Sequence, residues 1–538
     1  MIWSEFVGQV SILSANVSAY MAAKNDSYVR CSILVIKRKK HIMENLCYKT
    51  LENQGYDGYL LKDAPEKVLQ FGEGNFLRAF VDYFIDLLNE KAGFNGKVVV
   101  TQPIAQGLAK MINDQDGLYT LFLRGSENGQ AVNKKRVISC ISRCLNPYED
   151  FESLMACADN PDLRFIVSNT TEAGIAYDPD CKKDDAPPAS FPGKLTAFLY
   201  RRYKKGLPGF IILSCELIDN NGKELEKIVN KYIDQWGLGD DFKDWVKTQN
   251  IFCSTLVDRI VPGYPRTEAD KICEELGYHD NLLDVGEVFG FWVIEGPDSI
   301  KKEFPVDKAE LPIITVPDVR PYKQRKVRIL NGAHTSFIMA AYLTGQNIVR
   351  DCMKDETIHG FMNATLYNEV IPTLDLPKDD LNQFAADVTE RFSNPFVDHQ
   401  LLSISLNSTS KWKARCMPSL LEYAKRKNGA IAPCLAFSFA AYICFYHNGA
   451  EKGDACLHAV RPNGDAYDIK DDEWVLDFYY EHRNDSLEAL ADAVIDNEKM
   501  WDDSLKSLPG FRETVKEDLA LIEKKGMKAA MADFAARA

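Results

Sequence analysis

The sequence predicts an α/β protein, with a doubly wound, mainly parallel sheet in its N-terminal part and a mainly α-helical C-terminal part. Two observations carry this reading. From Lys67 onward short apolar runs alternate with longer amphipathic ones, and strands alternating with helices imply parallel pairing with helices packed on the sheet. After about residue 320 β-branched runs thin out and helical spacing takes over. A chain of 538 residues also exceeds one ordinary core, as two such parts require.

Residues 1–42 show neither period and end in the basic run Lys37-Arg38-Lys39-Lys40. They read as a disordered or spurious N-terminal extension, with a basic interaction tail as the alternative. A chain begun at Met43 is then expected to fold and act like the full one. Lys67 to Phe71 is the first strand. Asn75 to Lys91 follows as a helix, because Phe76, Phe80, Phe84 and Leu88 recur at spacing four on one face. Val98 to Thr101, Arg164 to Ser168, Phe210 to Cys215 and Ile251 to Leu256 read as further strands. Helix-like stretches such as Asn221 to Trp236 precede them. Pro312, Pro317 and Pro321 fall in the transition, which places a dinucleotide-binding domain at 43–315 and a helical substrate domain at 316–538. Behind that boundary Val327 to Leu343, Leu420 to Lys425, Ile431 to Phe445 and Ser486 to Val494 read as helices.

Composition narrows the function. A formal charge of −14 argues against a nucleic-acid partner, since phosphate binding needs clustered positive charge. No apolar run reaches the roughly 18–20 residues that span a bilayer, and the nearest, Phe6 to Ala23, holds Gln9 and Asn16 and follows Glu5. That start makes a poor signal peptide. The fourteen cysteines are scattered with no CxxC pair, which fits thiols in a reducing cytoplasm. The eight histidines show no HExxH pattern, so no metal is expected. The partner that remains is a small molecule.

The first motif is Val68-Leu69-Gln70-Phe71-Gly72-Glu73-Gly74-Asn75-Phe76-Leu77-Arg78-Ala79, where a strand becomes a helix. Gly72 permits a tight turn, and Gly74 lets a pyrophosphate approach the backbone. The helix start aims free N–H groups and its positive dipole end at phosphates. Arg78 would add a cationic contact. Leu77 replaces the third glycine of the usual fingerprint, so a purely structural turn is the competing account. The strand-turn-helix setting favours a Rossmann-like dinucleotide site. Thr101-Gln102-Pro103 follows the second strand with neither acid nor base; the missing cation favours NAD and leaves NADP open.

The second motif is Lys326-Val327-Arg328-Ile329-Leu330-Asn331-Gly332-Ala333-His334. At 100° per residue Asn331 and His334 lie about 140° and about 80° from Lys326, on one broad face. A carbinol oxygen that gains or loses a proton needs a general acid/base and donors that hold developing charge. Lysine can be that base if its surroundings lower its pKa. From spacing alone, a solvated lysine, a capping asparagine and a core histidine explain the same residues.

Together these motifs resemble the long-chain polyol dehydrogenase family, which includes mannitol dehydrogenase and the fructuronate and tagaturonate reductases. The family's GxGxFxRA-like segment matches Gly72 to Ala79, and its K-x4-N-x2-H signature matches Lys326, Asn331 and His334. The likeness runs from about Lys67 to the C-terminus. Leu69 to Arg78, Ser168 to Ile175 and Trp292 to Pro297 are worded most like the uronate-reducing members. The resemblance implies an NAD-dependent oxidoreductase in hexuronate catabolism, with Lys326 as acid/base and Asn331 and His334 on the reacting oxygen. It also implies that Asp258 lines the cleft from the nucleotide domain; an ion pair with Arg259 or another cation is the structural alternative. One departure stands out: Leu217, in Cys215-Glu216-Leu217, takes a place where mannitol dehydrogenase has an asparagine donor.

A third segment runs from Arg391-Phe392-Ser393-Asn394-Pro395 through His399 to Lys411-Trp412-Lys413-Ala414-Arg415. Three cations in five residues suit a uronate carboxylate, with Lys411 and Arg415 as the candidate contacts. They equally suit a solvated helix. A nucleotide-binding protein without catalysis is the rival from another class, and the intact Lys326, Asn331 and His334 speak against it.

Overall fold

The computed structural model describes residues 43–127 and 129–536. The reading of residues 1–42 lies outside them. Eight strands form the main sheet: β1 (Glu66–Phe71), β2 (Lys97–Thr101), β5 (Ile141–Leu145), β6 (Phe165–Ser168), β7 (Ile211–Ser214), β8 (Ile251–Asp258), β10 (Phe291–Glu295) and β11 (Ile313–Val316). Their order is β11-β10-β8-β7-β6-β1-β2-β5. All neighbours pair in parallel except β8 and β10, which are antiparallel. From β1 the chain steps to β2 on one side and later to β6 on the other, so a crevice opens at the carboxyl ends of β1 and β6. The core strands carry near-continuous apolar side chains because both faces are covered.

Two further sheets were not legible in the apolar pattern. One joins β3 (Tyr119–Glu127), β4 (Gln130–Ile138) and β9 (Asp284–Glu287). The other is an antiparallel sheet of β12 (Gly449–Lys452), β13 (Leu457–Val460) and β14 (Ala466–Ile469) within the helical part. Its last two strands are four residues long and alternate buried with exposed, too short to register as a run.

Behind the last strand of the main sheet, helices begin at Arg320. Two of them, Gly332–Leu343 and Pro433–His447, are buried on nearly every side and form the centre of the second core. Among the described residues no helix is long and apolar enough to cross a membrane.

The helix 75–92 anchors the crevice. Phe80, Phe84 and Leu88 pack into the sheet core, but the same helix also buries Arg78, Asp82 and Asp86. Burial pushes the Asp82 carboxyl up to about 7, against the hydrogen bond from Gln70 and the charge of Arg78. Since its folded pKa lies above the unfolded value of about 4, the native state is favoured while Asp82 is protonated and loses stability as pH rises from about 4 through 7. Asp82→Asn removes that cost. The variant is expected to be more stable than the parent at pH 8 by a few kcal/mol in order of magnitude, and so to melt at a higher temperature, with the gap closing toward pH 4. Melting curves of both proteins across that range are the check, and a gap independent of pH would refute the account.

Candidate active site

At the end of β1 the backbone turns sharply at Gly72, whose φ of 121° is open to glycine and strained for other residues. A Cβ there would also stand 2.9 Å from the Asn169 carbonyl oxygen. At Gly74, which precedes the first helical turn, a Cβ would meet nothing within 4 Å. The turn therefore offers bare backbone and open space at a helix N-terminus, a cradle that fits a dinucleotide pyrophosphate.

The flanking side chains do other work than the sequence suggested. Val68, Leu69, Gln70, Phe71, Leu77 and Ala79 are buried in the core and fix the turn from behind. Asn75 and Phe76 remain partly open. Glu73 is buried, and a Cβ on Gly107 of the facing loop would stand 2.6 Å from its carboxylate oxygen. Arg78 requires a correction. Its guanidinium donates to the carbonyls of Glu73 and Leu282 and to the Asn75 side chain, and it lies 3.8 Å from Asp284. At 2% exposure it is committed to the interior and is not offered to a phosphate. After β2 the Gln102 amide folds back onto the Ile104 and Ala105 carbonyls, so its own loop occupies it.

Lys326 lies on a long helix that spans 320–343. Its middle, Lys326–Asn331, is a π turn, in which the Gly332 N–H reaches back five residues to the Val327 carbonyl. This changes the geometry expected of an α-helix. With i→i+5 closure, residues five apart come one turn apart instead of diverging by about 140°. Lys326 and Asn331 accordingly line the same cavity, of about 160 Å³, with Glu216, Leu217, Asn221 and Val257. A larger hollow of about 970 Å³ opens where β1 and β2 begin, lined by Glu66 and Lys97. None of these groups lines it, so volume alone does not locate the chemistry.

The Lys326 ammonium donates to the Val257 carbonyl at 2.9 Å and lies 3.4 Å from the Asp258 carboxylate. That contact answers the question of Asp258's partner. Arg259 is not the partner: it turns away to the Ala79 and Phe289 carbonyls. Arg391, from the helix Lys378–Phe392, holds Asp258 through two N–H groups and Glu287 through two more. Burial raises the Asp258 carboxyl, but Lys326 and Arg391 outweigh it and keep the group below its ordinary range.

His334 stacks on Phe392 with ring centroids 3.9 Å apart, and meets His399 edge-on at 5.3 Å. Burial, then the charges of His399, Arg415, Arg391 and Lys411, hold its pKa well below the usual value, so the ring is neutral. Among the described residues none partners its Nε2. Arg415 donates to the Thr335 hydroxyl, one residue on from His334. Lys411 donates to the Ile404 carbonyl and keeps two further N–H groups. The expected trio of cations is reduced, because Lys413 pairs with Asp502 elsewhere on the surface. Burial lowers the pKa of both Lys411 and Arg415.

Sequence reasoning missed three members of this site. Arg391 and Glu287 form the buried bridge to Asp258. Glu216 is 2% exposed and accepts hydrogen bonds from Ser168, Thr170 and the Thr170 N–H, while burial raises its carboxyl. Glu216 could have been found from its place just beyond a parallel strand's carboxyl end. Arg391 opens the third segment, but nothing local marks its bridge to Asp258, and nothing local marks Glu287.

Comparison with known proteins gives a consistent picture. The mannitol dehydrogenase Rossmann domain matches residues 66–308, and the mannitol dehydrogenase C-terminal domain matches residues 318–523. An altronate oxidoreductase of Phocaeicola vulgatus is 46% identical over 470 residues, covering 86% of this chain and 95% of its own. One from Escherichia coli is 44% identical over 494 residues, covering 90% and 99%. Among solved structures, a substrate-free D-sorbitol dehydrogenase superposes with a TM-score of 0.73 at 23% identity, over 88% of this chain and 96% of its own. A Pseudomonas fluorescens mannitol 2-dehydrogenase, in complex with NAD and D-mannitol, gives 0.63 at 22% identity, over 91% and 99%. At these identities the structures speak to the fold.

Proposed function

We propose, from the premise that this chain belongs to the mannitol dehydrogenase family, that it is an NAD-dependent reductase converting tagaturonate to altronate. The chain is an oxidoreductase acting on CH–OH groups. The substrate and the roles of its residues are our reading. Residues 43–315 form the nucleotide domain in that reading, and 316–538 the helical domain that supplies the proton-handling groups.

The Gly72–Gly74 turn and the helix that follows would hold the dinucleotide. NAD is favoured because no lysine or arginine stands in Thr101-Gln102-Pro103 at the end of β2. When bound, the nicotinamide supplies the hydride to the ketone carbon, or takes it back in oxidation. Lys326 has one N–H left after Val257 and Asp258, and that proton passes to the substrate oxygen as the ketone is reduced. Asn331, one turn away, donates to the same oxygen. His334 is neutral, so a ring N–H on its unpartnered Nε2 would hold developing negative charge without surrendering its proton. Asp258 keeps the ammonium in place, and Arg391 keeps Asp258.

The observation that carries the uronate assignment is the pair Lys411 and Arg415 beside His334, on a chain of net charge −14. An anionic substrate has to enter against that field, and a local cationic pocket receives it. One charge-assisted hydrogen bond is worth roughly 1.5–3 kcal/mol, about ten- to a hundredfold in specificity. kcat/KM for tagaturonate is therefore expected to exceed that for the neutral ketose tagatose by at least this factor. Lys411→Met should shrink the preference chiefly through the uronate. Equal efficiency on both sugars, or an unchanged preference in the variant, would replace this reading with a neutral polyol substrate.

A further inference from the structure

The small antiparallel sheet β12-β13-β14 carries a cluster outside the proposed site. His458 on β13 lies directly across from Asp468 on β14. Cys456 stands just before β13, two residues ahead of His458, and its sulfur reaches the same ring. The Nδ1 of His458 is 2.8 Å from Asp468 Oδ1 and 4.0 Å from Cys456 Sγ. One ligand-type atom from each residue falls within 4.8 Å of the other two. Glu451, on β12, pairs with His458 from the other side.

Two features separate this cluster from an ordinary polar surface. A nucleophile–base–acid relay would place the thiol and the carboxylate on opposite nitrogens of the imidazole. Here both face the same Nδ1, the arrangement of ligands converging on one point. The convergence also depends on Gly453, where a Cβ would stand 2.5 Å from His458 Nε2 and 2.8 Å from Cys456 Sγ. A tetrahedral zinc with bonds of about 2.3 Å to sulfur and about 2.0–2.1 Å to nitrogen and oxygen needs S···N near 3.5 Å and N···O near 3.3 Å. The observed 4.0 and 2.8 Å reach those values with shifts of about half an ångström. His458 and Asp468 are half-exposed, so small rotations are available.

We propose that Cys456, His458 and Asp468 bind a divalent transition metal, zinc by preference, with Glu451 or water as the fourth ligand. A thiolate, a neutral imidazole and a carboxylate form a mixed donor set that suits zinc, and their two negative charges balance the ion. On binding, the Cys456 thiol releases its proton to solvent and His458 ligates through Nδ1 as the Nε2–H tautomer, so the metal takes the place between Nδ1 and Asp468 and clips β13 to β14. That clip has a structural reach. β14 leads to Lys470, whose carbonyl accepts from Asn407, and to Asp471, whose carboxylate accepts from the Thr409 N–H. Both contacts hold the start of the helix Ser408–Arg415, which bears Lys411 and Arg415.

Titration of the full-length, metal-stripped protein with cobalt(II) tests the site, followed by competition with zinc against a chromophoric chelator. One equivalent is expected to bind with a thiolate-to-cobalt charge-transfer band, and zinc should raise the melting temperature. Cys456→Ser should abolish the band, and His458→Gln and Asp468→Asn should each weaken zinc by about a hundredfold or more. The two latter side chains are half-exposed, so the metal-free variants should melt like the parent. No band in the parent, or the same uptake and zinc-induced stabilisation in His458→Gln and Asp468→Asn as in the parent, would overturn the proposal.

Discussion

Lys326→Ala is expected to lower turnover by about two to four powers of ten, the usual span for a positioned general acid/base. The effect should fall on the chemical step. The ammonium lies between the Val257 carbonyl and the Asp258 carboxylate, in the cavity that Asn331 also lines. Truncation leaves no side chain there to pass a proton to the substrate oxygen. Dinucleotide binding depends on the Gly72–Gly74 turn at the end of β1, so the dissociation constant for reduced cofactor should stay near the parent value. Asp258 keeps Arg391 in the variant, so the fold should survive and melting curves should nearly overlay. Near-normal turnover of Lys326→Ala at neutral pH would end the assignment of Lys326 as the proton carrier.

Arg391→Met should have the largest effect on stability. The Arg391 side chain is 7% exposed, and it bonds two carboxylates that are 5% and 4% exposed, Asp258 and Glu287. It also stacks over Phe289, 4.2 Å from the ring centroid. Methionine keeps much of the apolar stem but strips both acids of their guanidinium. Removing one partner from a buried ionic cluster typically costs about 3–5 kcal/mol, because the charges left behind remain desolvated. The pH dependence distinguishes this cause from lost packing. Burial already raises the Glu287 carboxyl and Arg391 opposes that rise, while Arg391 helps hold Asp258 down. Without the arginine the Glu287 carboxyl climbs further above its unfolded value, while Asp258 loses one of the two cations that hold it down and keeps Lys326, so the native state loses stability as pH rises through the folded pKa of Glu287. Denaturant unfolding should therefore show a larger deficit at pH 8 than at pH 5. A deficit equal at both would assign the loss to packing.

Much of the fold was legible because its strongest signals are local. The strand at Lys67 to Phe71, the phenylalanine stripe of the following helix and the glycine turn between them each need only neighbouring residues, and the structure repeats them closely. The β12-β13-β14 sheet was illegible because its strands are too short to show a period, β4 because most of its side chains are exposed and polar, and β9 because it is four residues long and pairs with β3 far along the chain. The site divides the same way. Lys326, Asn331 and His334 fall within nine residues and form a recognisable spacing. Arg391 acquires its role only by meeting Asp258 and Glu287, more than a hundred residues away in sequence. Arg78 and Lys413 show a related limit of local reading. A cation read from sequence has unspent charge, whereas in the folded chain Asp284 and backbone carbonyls claim one and Asp502 the other.

The π turn at Lys326–Asn331 has a consequence for how this chain tolerates insertions and deletions. Relative to an α-helix, such a turn accommodates one surplus residue, and the bulge absorbs it without changing the rotational phase between the two ends of the helix. Removing a single residue from 327–330 would let the helix relax to ordinary α geometry. Lys326 and the present Asn331 would then stand four residues apart, about 40° apart in rotation and one turn along the axis, so both would still face one wall. A one-residue deletion here is thus absorbed on the spot, whereas the same deletion in the regular helix beyond Asn331 would turn everything after it by about 100°.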